Sequence, residues 1–225
     1  MKLLGIETSS NVGSVALRIG GEIRSAEMAS PREQTEQLLT LVHESLAAAG
    51  LTLRDLDGIA FGRGPGSFTG LRIAAAIAQG LAVTSGVPLL PVSSLQCLAQ
   101  TALRSAGAAC SLVCVDARMG EVYWAAFALH GDVMRPAGDE RLGMPANLAA
   151  PAARPWAAVG DGFASYRDAL AGLAAGAERT LADLKPAAQD LLPQAVADLA
   201  AGRSVTPRDA LPVYLREHTA WRRSS

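Results

Sequence analysis

The chain has 225 residues, half of them hydrophobic, which is enough for one large domain or two small ones around a substantial core. Its 20 basic and 21 acidic residues leave a net charge of −1, and no Lys- or Arg-rich block suggests direct nucleic-acid binding. The first residues do not resemble a signal peptide, and no uninterrupted apolar run reaches about 18 residues. Because Cys97, Cys110 and Cys114 lie among apolar residues, we expect buried free thiols in a cytoplasmic protein without a membrane segment.

The first half of the chain predicts a β-meander followed by alternating helices and strands. Ser30, Pro31 and Glu33 are typical of a capped helix start, and Ser93 with Gln96 is typical of another. In chain order, the predicted strands cover residues 3–7, 12–19, 22–28, 57–62 and 88–92, and the predicted helices cover 32–49, 69–85 and 93–105.

A Gly-rich stretch, GRGPGSFTGLR at residues 62–72, joins a predicted strand to a predicted helix. Such a loop can hold a phosphate on its backbone N–H groups, or it can be a tight turn that seats the helix. It has neither the Lys-Ser/Thr pair of a P-loop nor the glycine spacing of a dinucleotide fingerprint. The residues assigned to this nucleotide-binding or structural role, including two acids that end strands, are Glu7, Thr8, Gly64, Pro65, Gly66 and Asp116.

The second half repeats the opening pattern of the first. Predicted strands end at Glu7 and, 109 residues later, at Asp116, and each is followed by a turn, a glycine, a strand and a Gly-containing turn. The repeat predicts an α/β protein with the duplicated actin-like (ASKHA) fold of ATPases and sugar kinases, built from two βββαβα-type halves. We assign residues 1–105 to the first half and 106–205 to the second, and expect 206–225 to pack back on the first. The later predicted elements are strands over 121–129 and 156–160, helices over 163–174 and 187–201, and an extended segment over 211–216.

Several stretches, in the same order along nearly the whole chain, resemble the bacterial TsaB (YeaZ) family. They are IETS at 6–9, PRE at 31–33, the Gly-rich loop at 62–72, DARMGEVYW at 116–124 and PVYLR at 212–216. Glu7 stands where many relatives carry Asp, which lengthens the acid by one methylene. The resemblance implies a subunit that is required, with TsaD and TsaE, for threonylcarbamoyl transfer to N6 of adenosine 37 in tRNAs that read codons starting with A.

The resemblance also implies that the chain is not itself an enzyme. The catalytic paralogue TsaD carries two histidines, four residues apart on one helix face, where they can hold a metal ion. The matching positions here are Ser94 and Leu98. The implied protein therefore has no catalytic residue, no metal and no cofactor of its own. The interface of the complex is the place where ATP or ADP could bind, and tRNA is reached only through the complex.

Two predicted helices, 32–49 and 69–85, are expected to lie side by side and to dock with TsaD. The first has an apolar arc wide enough to face a sheet on one side and a partner on the other, although a purely core-facing helix fits its pattern equally well. The second is rich in small residues, which let a neighbouring helix approach closely. Two such helices from each subunit would form a four-helix bundle, and a homodimer can use the same face. The predicted interface residues are Leu38, Leu39, Val42, Leu46, Arg72, Ile73 and Ala76.

Two other functions compete with this one. An independent ATPase or sugar kinase needs a nucleotide cleft between the halves, with Glu7 or Asp116 handling Mg²⁺ or activating water. The structural alternative is that both acids cap strand ends and bond to turn N–H groups. A protease is the second competitor, but spacing indicates no nucleophile–base pair and no nucleophile elbow. Its candidate residues are Ser67, Ser93, Cys97 and His43.

Overall fold

A computed structural model of the chain describes residues 1–28 and 34–216. The expected helix start at Ser30 to Glu33, with the PRE motif, and the tail 217–225 lie outside the described residues. The strands are β1 (Lys2–Glu7), β2 (Ser14–Ile19), β3 (Glu22–Glu27), β4 (Gly58–Gly62), β5 (Leu89–Val92), β6 (Cys110–Arg118), β7 (Glu121–His130), β8 (Val133–Pro136), β9 (Arg141–Gly143), β10 (Ala157–Val159) and β11 (Arg179–Leu181). The α-helices are α1 (Gln34–Ala48), α2 (Phe68–Ser85), α3 (Ser94–Ala106), α4 (Gly162–Ser165), α5 (Arg167–Ala175) and α6 (Leu192–Ala200), with 3₁₀ turns at Leu53–Asp55, Pro145–Asn147 and Ala188–Leu191.

The described strands form two sheets with the same strand order. In the first sheet, β3, β2 and β1 form an antiparallel meander, and β4 and β5 continue parallel to β1. In the second sheet, β8, β7 and β6 form the meander, β10 and β11 continue parallel to β6, and the short β9 pairs with β7. The prediction of a duplicated actin-like α/β fold is confirmed, because both sheets have the same topology. Each begins with a meander whose central-sheet strand carries one of the repeated acids, Glu7 on β1 and Asp116 on β6.

Helices cover both faces of the first sheet. α1 and α2 pack on one face, where Leu38 and Ala78 join strand residues such as Ile6 in one core. α6 and the 3₁₀ turn Ala188–Leu191 pack on the other face, around Leu3. β4 is therefore buried along its whole length, which explains why its sequence shows no polar alternation.

The two halves of the chain exchange helices. α3 follows the first sheet in sequence, yet it packs on the second sheet against β6, β7 and β8, while α4 packs near β6 on the other side of that sheet. Conversely, the predicted helix 187–201, assigned to the second half, packs on the first sheet. The strand repeat could not reveal this exchange, because a helix can reach either sheet through a short loop. The boundary between residues 105 and 106 stays a prediction.

The segment 205–216, called here the C-terminal strap, runs along the first half. Val205 forms an isolated antiparallel bridge with Leu89 at the start of β5. The Gln79 side chain on α2 donates a 3.0 Å hydrogen bond to the carbonyl of Ala210. The strap thus connects the edge of the first sheet with the outer side of α2.

The structure changes some of the predicted elements. The helix expected over 187–201 is a 3₁₀ turn followed by α6, with Pro193 in the first α-helical turn, where a missing N–H costs little. The helix expected over 163–174 is interrupted at Tyr166 and forms α4 and α5. β9 and β11 have three residues each and were not predicted. The cap at Ser93 is confirmed, because its hydroxyl accepts the Gln96 N–H at 3.1 Å.

By length and composition alone, α2 is able to cross a membrane, since it has 18 residues and a mean hydropathy of 1.2. Its buried residues, among them Leu71, Ala74 and Ala78, lie on one side of the helix. Ala74 and Ala78 belong to the core of the first sheet. Packing on the sheet therefore accounts for the apolar residues on this side of the helix.

Candidate functional site

A cleft of about 770 Å³ lies between the two sheets. Its walls include the turn after β1, the Gly-rich loop with the start of α2, and the first turns of α3. The end of β6, the segment before the 3₁₀ turn at 188 and the end of the C-terminal strap form further walls. Leu71 and Leu98 contribute apolar surface, and Pro65, Gly66 and Asp116 also line the cleft. Three of the predicted nucleotide-binding or structural residues thus lie together here.

Glu7 lies beneath the Gly-rich loop. Its side chain is completely buried, and its carboxylate accepts hydrogen bonds from the Ser9 N–H and, at 3.2 Å, from the Ser94 hydroxyl. Burial raises the pKa of Glu7 above its ordinary value, and these hydrogen bonds partly oppose that effect. A Cβ atom at Gly62 would collide with the Glu7 carboxylate, so only glycine leaves room for the acid there. Glu7 therefore supports the loop from below.

Further contacts hold the Gly-rich loop to the turn after β1 and to α3. The Thr8 hydroxyl donates a 2.7 Å hydrogen bond to the carbonyl of Gly70, and a Cβ atom at Gly70 would overlap the Thr8 carbonyl. The Gly64 N–H donates to the Ser94 hydroxyl at 3.3 Å, and Gly64 has φ of +97°, just before a cis bond to Pro65. These contacts favour the structural role for Thr8 and Gly64. Phosphate binding by the loop stays a prediction.

Asp116 lies on the cleft wall but is bonded by its own neighbourhood. Its carboxylate accepts hydrogen bonds from the Tyr166 hydroxyl at 2.9 Å and the Arg118 N–H at 2.8 Å, and it pairs with the Arg118 guanidinium at 3.1 Å. The Asp116 N–H donates to Asp161 at 3.0 Å, and Asp161 pairs with Lys185 at 3.0 Å. The two acids thus stabilise the turn after β6 and its junction with the loop before α4.

The part of the chain that the structure describes contains no preformed metal site. Among those residues, no three His, Cys, Asp or Glu side chains come together as a metal site. The Ser94 hydroxyl donates to Glu7 and accepts from Gly64, while Leu98 packs in the core of the second sheet and lines the cleft. The Ser94 side chain therefore attaches the Gly-rich loop to α3, and the Leu98 side chain packs in the core.

The candidate protease residues have separate roles. Ser67 and Ser93 cap α2 and α3 by accepting first-turn N–H groups. Cys97 is fully buried, and burial raises the pKa of its thiol well above the ordinary value. His43 is exposed on α1. None of these four described side chains hydrogen-bonds to another of the four, so the fold does not assemble a nucleophile with a base.

The structure corrects the predicted interface on α1. Leu38, Val42 and Leu46 are buried against the first sheet, with Leu38 0% exposed. The sheet accounts for the apolar arc of α1, and helical periodicity alone does not say what covers such an arc. These three residues therefore belong to the core, whereas Leu39, 44% exposed, remains available to a partner.

α2 contacts α1 and keeps one of its sides exposed to solvent. Arg72 and Ala76 are exposed, and Ile73 is half-buried, as an interface there requires. Gly80 and Val83, which were not among the predicted residues, extend the same side, with Val83 71% exposed. Docking on this surface stays a prediction. The surface, called here the α1–α2 face, comprises Leu39, Arg72, Ile73, Ala76, Gly80 and Val83.

An aromatic pair that the sequence did not indicate stands at the N-terminal end of this face. The ring centroids of Phe68 and Tyr214 lie 5.6 Å apart, and the central guanidinium carbon of Arg72 lies 3.7 Å from the Phe68 centroid. Tyr214 lies in the PVYLR stretch, which is one of the stretches that carry the family resemblance. Its contact with a residue 146 positions away appears only when the C-terminal strap folds along α2.

Comparisons with known proteins place the chain among relatives of matching length. A sequence model of the family described as TsaD, tRNA N6-adenosine threonylcarbamoyltransferase, matches residues 27–205. The chain is similar to the tRNA threonylcarbamoyladenosine biosynthesis protein TsaB of Escherichia coli K12, with 38% identity over 237 aligned positions that span 99% of this chain and 98% of the relative. A protein of the same name from Haemophilus influenzae is 44% identical over 124 positions, covering 55% of this chain and 52% of the relative.

Solved structures agree with the sequence comparison. The structure described as YeaZ from Pseudomonas aeruginosa matches with a TM-score of 0.86 and 40% identity, over 95% of this chain and 99% of that chain. A second Pseudomonas aeruginosa structure, described as similar to peptidase YEAZ, gives the same TM-score at 41% identity, over 96% and 99% of the two chains. On matches of this extent in both sequence and structure, the chain belongs to the TsaB (YeaZ) family, within the wider group that the TsaD family model describes.

Proposed function

We propose that this chain is a non-catalytic subunit that a TsaD-type transferase requires to place threonylcarbamoyl on N6 of adenosine 37 in tRNAs that read codons starting with A. The Escherichia coli relative, similar over nearly its whole length, is named for the biosynthesis of threonylcarbamoyladenosine in tRNA. The match to the TsaD family model over residues 27–205 supports a common origin with the transferase itself. A subunit paired with its own catalytic paralogue is consistent with both findings.

The observation that carries the non-catalytic role is the engagement of the acids around the cleft by the protein itself. Glu7, the acid at the end of β1, is completely buried under the Gly-rich loop. Asp116, the corresponding acid of the second half, is bonded to Tyr166 and Arg118. An independent ATPase or kinase would need at least one of these carboxylates directed at Mg²⁺ or water. The arrangement therefore favours the subunit over the kinase.

The α1–α2 face is the surface on which we place TsaD. Its exposed Leu39 and Val83 offer apolar area, and Ala76 and Gly80 let another helix come close. A pair of helices from the paralogous transferase would complete a four-helix bundle with water excluded from the seam. The same face can join two copies of this chain when TsaD is absent.

Other parts of the proposal follow from this arrangement. We further propose that TsaE joins the pair, that the chain carries no cofactor of its own, and that any ATP or ADP binds at the interface of the complex. The near-neutral net charge, −1, and the lack of a basic block support contact with tRNA through the complex only. These steps belong in the cytoplasm.

Two measurements on purified proteins test the proposal. The chain is mixed with its cognate TsaD and TsaE and passed through size-exclusion chromatography with light scattering, and ATP hydrolysis by the chain alone is followed in parallel. We expect a stable complex with TsaD and no hydrolysis above a protein-free blank. Hydrolysis by the isolated chain, abolished in Asp116→Asn, together with failure to bind TsaD, would instead establish the ATPase alternative.

A further inference from the structure

Arg72 is held in a fixed orientation at the N-terminal end of the α1–α2 face. Its guanidinium stacks 3.7 Å from the centroid of the Phe68 ring and lies 6.0 Å from the centroid of the Tyr214 ring. Its Nε donates a 3.2 Å hydrogen bond to the Tyr214 hydroxyl. One ring thus fixes the plane of the guanidinium and one hydrogen bond fixes its rotation, so its four terminal N–H donors have a defined direction.

The ring of Tyr214 is itself held in place by the C-terminal strap. The neighbouring Val213 N–H donates a 2.8 Å hydrogen bond to the carbonyl of Arg63 in the Gly-rich loop. Two residues beyond Tyr214, the Arg216 guanidinium pairs with Glu121 at 2.7 Å on the second half. The strap is therefore attached on both sides of Tyr214, and Arg72 is oriented before any partner arrives.

Arg72 differs from neighbouring arginines in having no acidic partner. Arg63 pairs with Glu140 at 3.2 Å, and Arg216 pairs with Glu121. Within residues 1–28 and 34–216, no carboxylate lies within ion-pair distance of Arg72. The other five residues that define the α1–α2 face are uncharged, while the exposed Glu36 and His43 lie three residues before and four residues after Leu39 on α1. A stacked arginine with directed terminal N–H groups is suited to bind a carboxylate or phosphate through two parallel hydrogen bonds.

We propose that Arg72 binds an Asp or Glu carboxylate of the partner protein that docks on the α1–α2 face. This inference rests on the proposed function and adds the chemistry of the partner's contact. A protein carboxylate is favoured over an RNA phosphate because binding to a nucleic-acid backbone draws on several cations. Here Arg72 is the one arginine among the residues that define the α1–α2 face, its other members are apolar, and the exposed Arg118 is paired with Asp116. Arg72 thereby fixes the register of the two docked helix pairs.

The test measures the affinity of the full chain for cognate TsaD by isothermal titration calorimetry at about 50 and 300 mM NaCl. The variants are Arg72→Gln, Arg72→Lys and Tyr214→Phe, and the control is Arg167→Gln at an exposed arginine on α5. We expect Arg72→Gln to bind roughly 10- to 100-fold more weakly and to lose most of the salt dependence of the wild type. Arg72→Lys and Tyr214→Phe should give smaller losses with the salt dependence retained, and Arg167→Gln should match the wild type. Thermal melting should be the same for all five proteins.

The outcomes separate this inference from the proposed function. If wild-type chain binds TsaD and Arg72→Gln binds within twofold of it, the inference is wrong and the proposed function stands. If wild-type chain does not bind TsaD, both are wrong. Fluorescence anisotropy with bare tRNA covers the other ligand: weaker tRNA binding by Arg72→Gln, with TsaD binding intact, would assign Arg72 to phosphate. Should Arg72→Gln melt at a lower temperature, Tyr214→Phe decides, and unchanged affinity in that variant overturns the inference.

Discussion

Substitution of two adjacent leucines on α1 should separate docking from folding. Leu39 is 44% exposed, whereas its neighbour Leu38 is 0% exposed in the core of the first sheet. Full burial of a leucine is worth roughly 1.5–3 kcal/mol, so covering the exposed 44% of Leu39 in an interface contributes about 0.7–1.3 kcal/mol. An arginine at that position forfeits this contribution and places an unpaired guanidinium in an apolar seam, which costs about a further 1–3 kcal/mol.

Together these terms predict that Leu39→Arg weakens TsaD binding by about 2–4 kcal/mol, or roughly 20- to 1000-fold. The assay is calorimetric titration with TsaD, accompanied by circular dichroism and thermal melting of the isolated variant. Leu39→Arg should melt within a few degrees of the wild type, because its side chain reaches solvent in the free subunit. Leu38→Arg should fail to fold or melt far lower. A folded Leu39→Arg variant with wild-type affinity would show that the α1–α2 face is not the docking surface.

Three further predictions concern stability. Gly80→Ala should raise the free energy of unfolding by about 0.5–1 kcal/mol, because this glycine lies within α2 and no atom lies within 4 Å of a Cβ placed there; an unchanged or lower melting temperature would contradict this. Burial raises the pKa of Glu7 above 4.5, so the folded chain binds that proton more tightly than the unfolded chain. The stability of the wild type should therefore fall relative to that of Glu7→Gln as pH rises from about 4.5. Melting curves from about pH 4 to 7 in which the melting temperature of the wild type rises relative to that of the variant would refute this prediction. Arg104→Ala should destabilise the chain by about 2–3 kcal/mol in urea unfolding, because it leaves the buried Asp190 carboxylate without the guanidinium that pairs with it at 2.8 Å, and a loss under about 0.5 kcal/mol would contradict this.

Local features of the sequence predicted much of the fold. The cap at Ser93, the Gly-rich junction into α2 and the repeated acids at Glu7 and Asp116 depend on neighbouring residues in the chain. The duplicated meander could be inferred from them because strand alternation and turn glycines are short-range signals. The exchange of α3 and α6 between the sheets is different. It depends on which of two apolar sheets each helix covers, and both choices produce the same local pattern.

The candidate site was harder to predict for the same reason. The arc containing Leu38 and Val42 has the spacing of an interface and of a core, and only the sheet beneath α1 decides between them. The cluster of Phe68, Arg72 and Tyr214 depends on the path of the C-terminal strap. A sequence that predicts an extended segment does not say along which surface that segment runs. The sequence placed Glu7 in the candidate site. Its burial beneath the Gly-rich loop could not be predicted, because it is defined by contacts with Ser9 and the distant Ser94.

The measurement that tests the central claim most directly is reconstitution of tRNA modification from purified parts. Cognate TsaD, TsaE and unmodified tRNA are incubated with the threonylcarbamoyl donor, with and without this chain, and the nucleosides are quantified by mass spectrometry. We predict that N6-threonylcarbamoyladenosine forms when the chain is present, falls at least tenfold when it is omitted, and falls similarly with Leu39→Arg at limiting concentration. Equal modification with and without the chain would contradict the account.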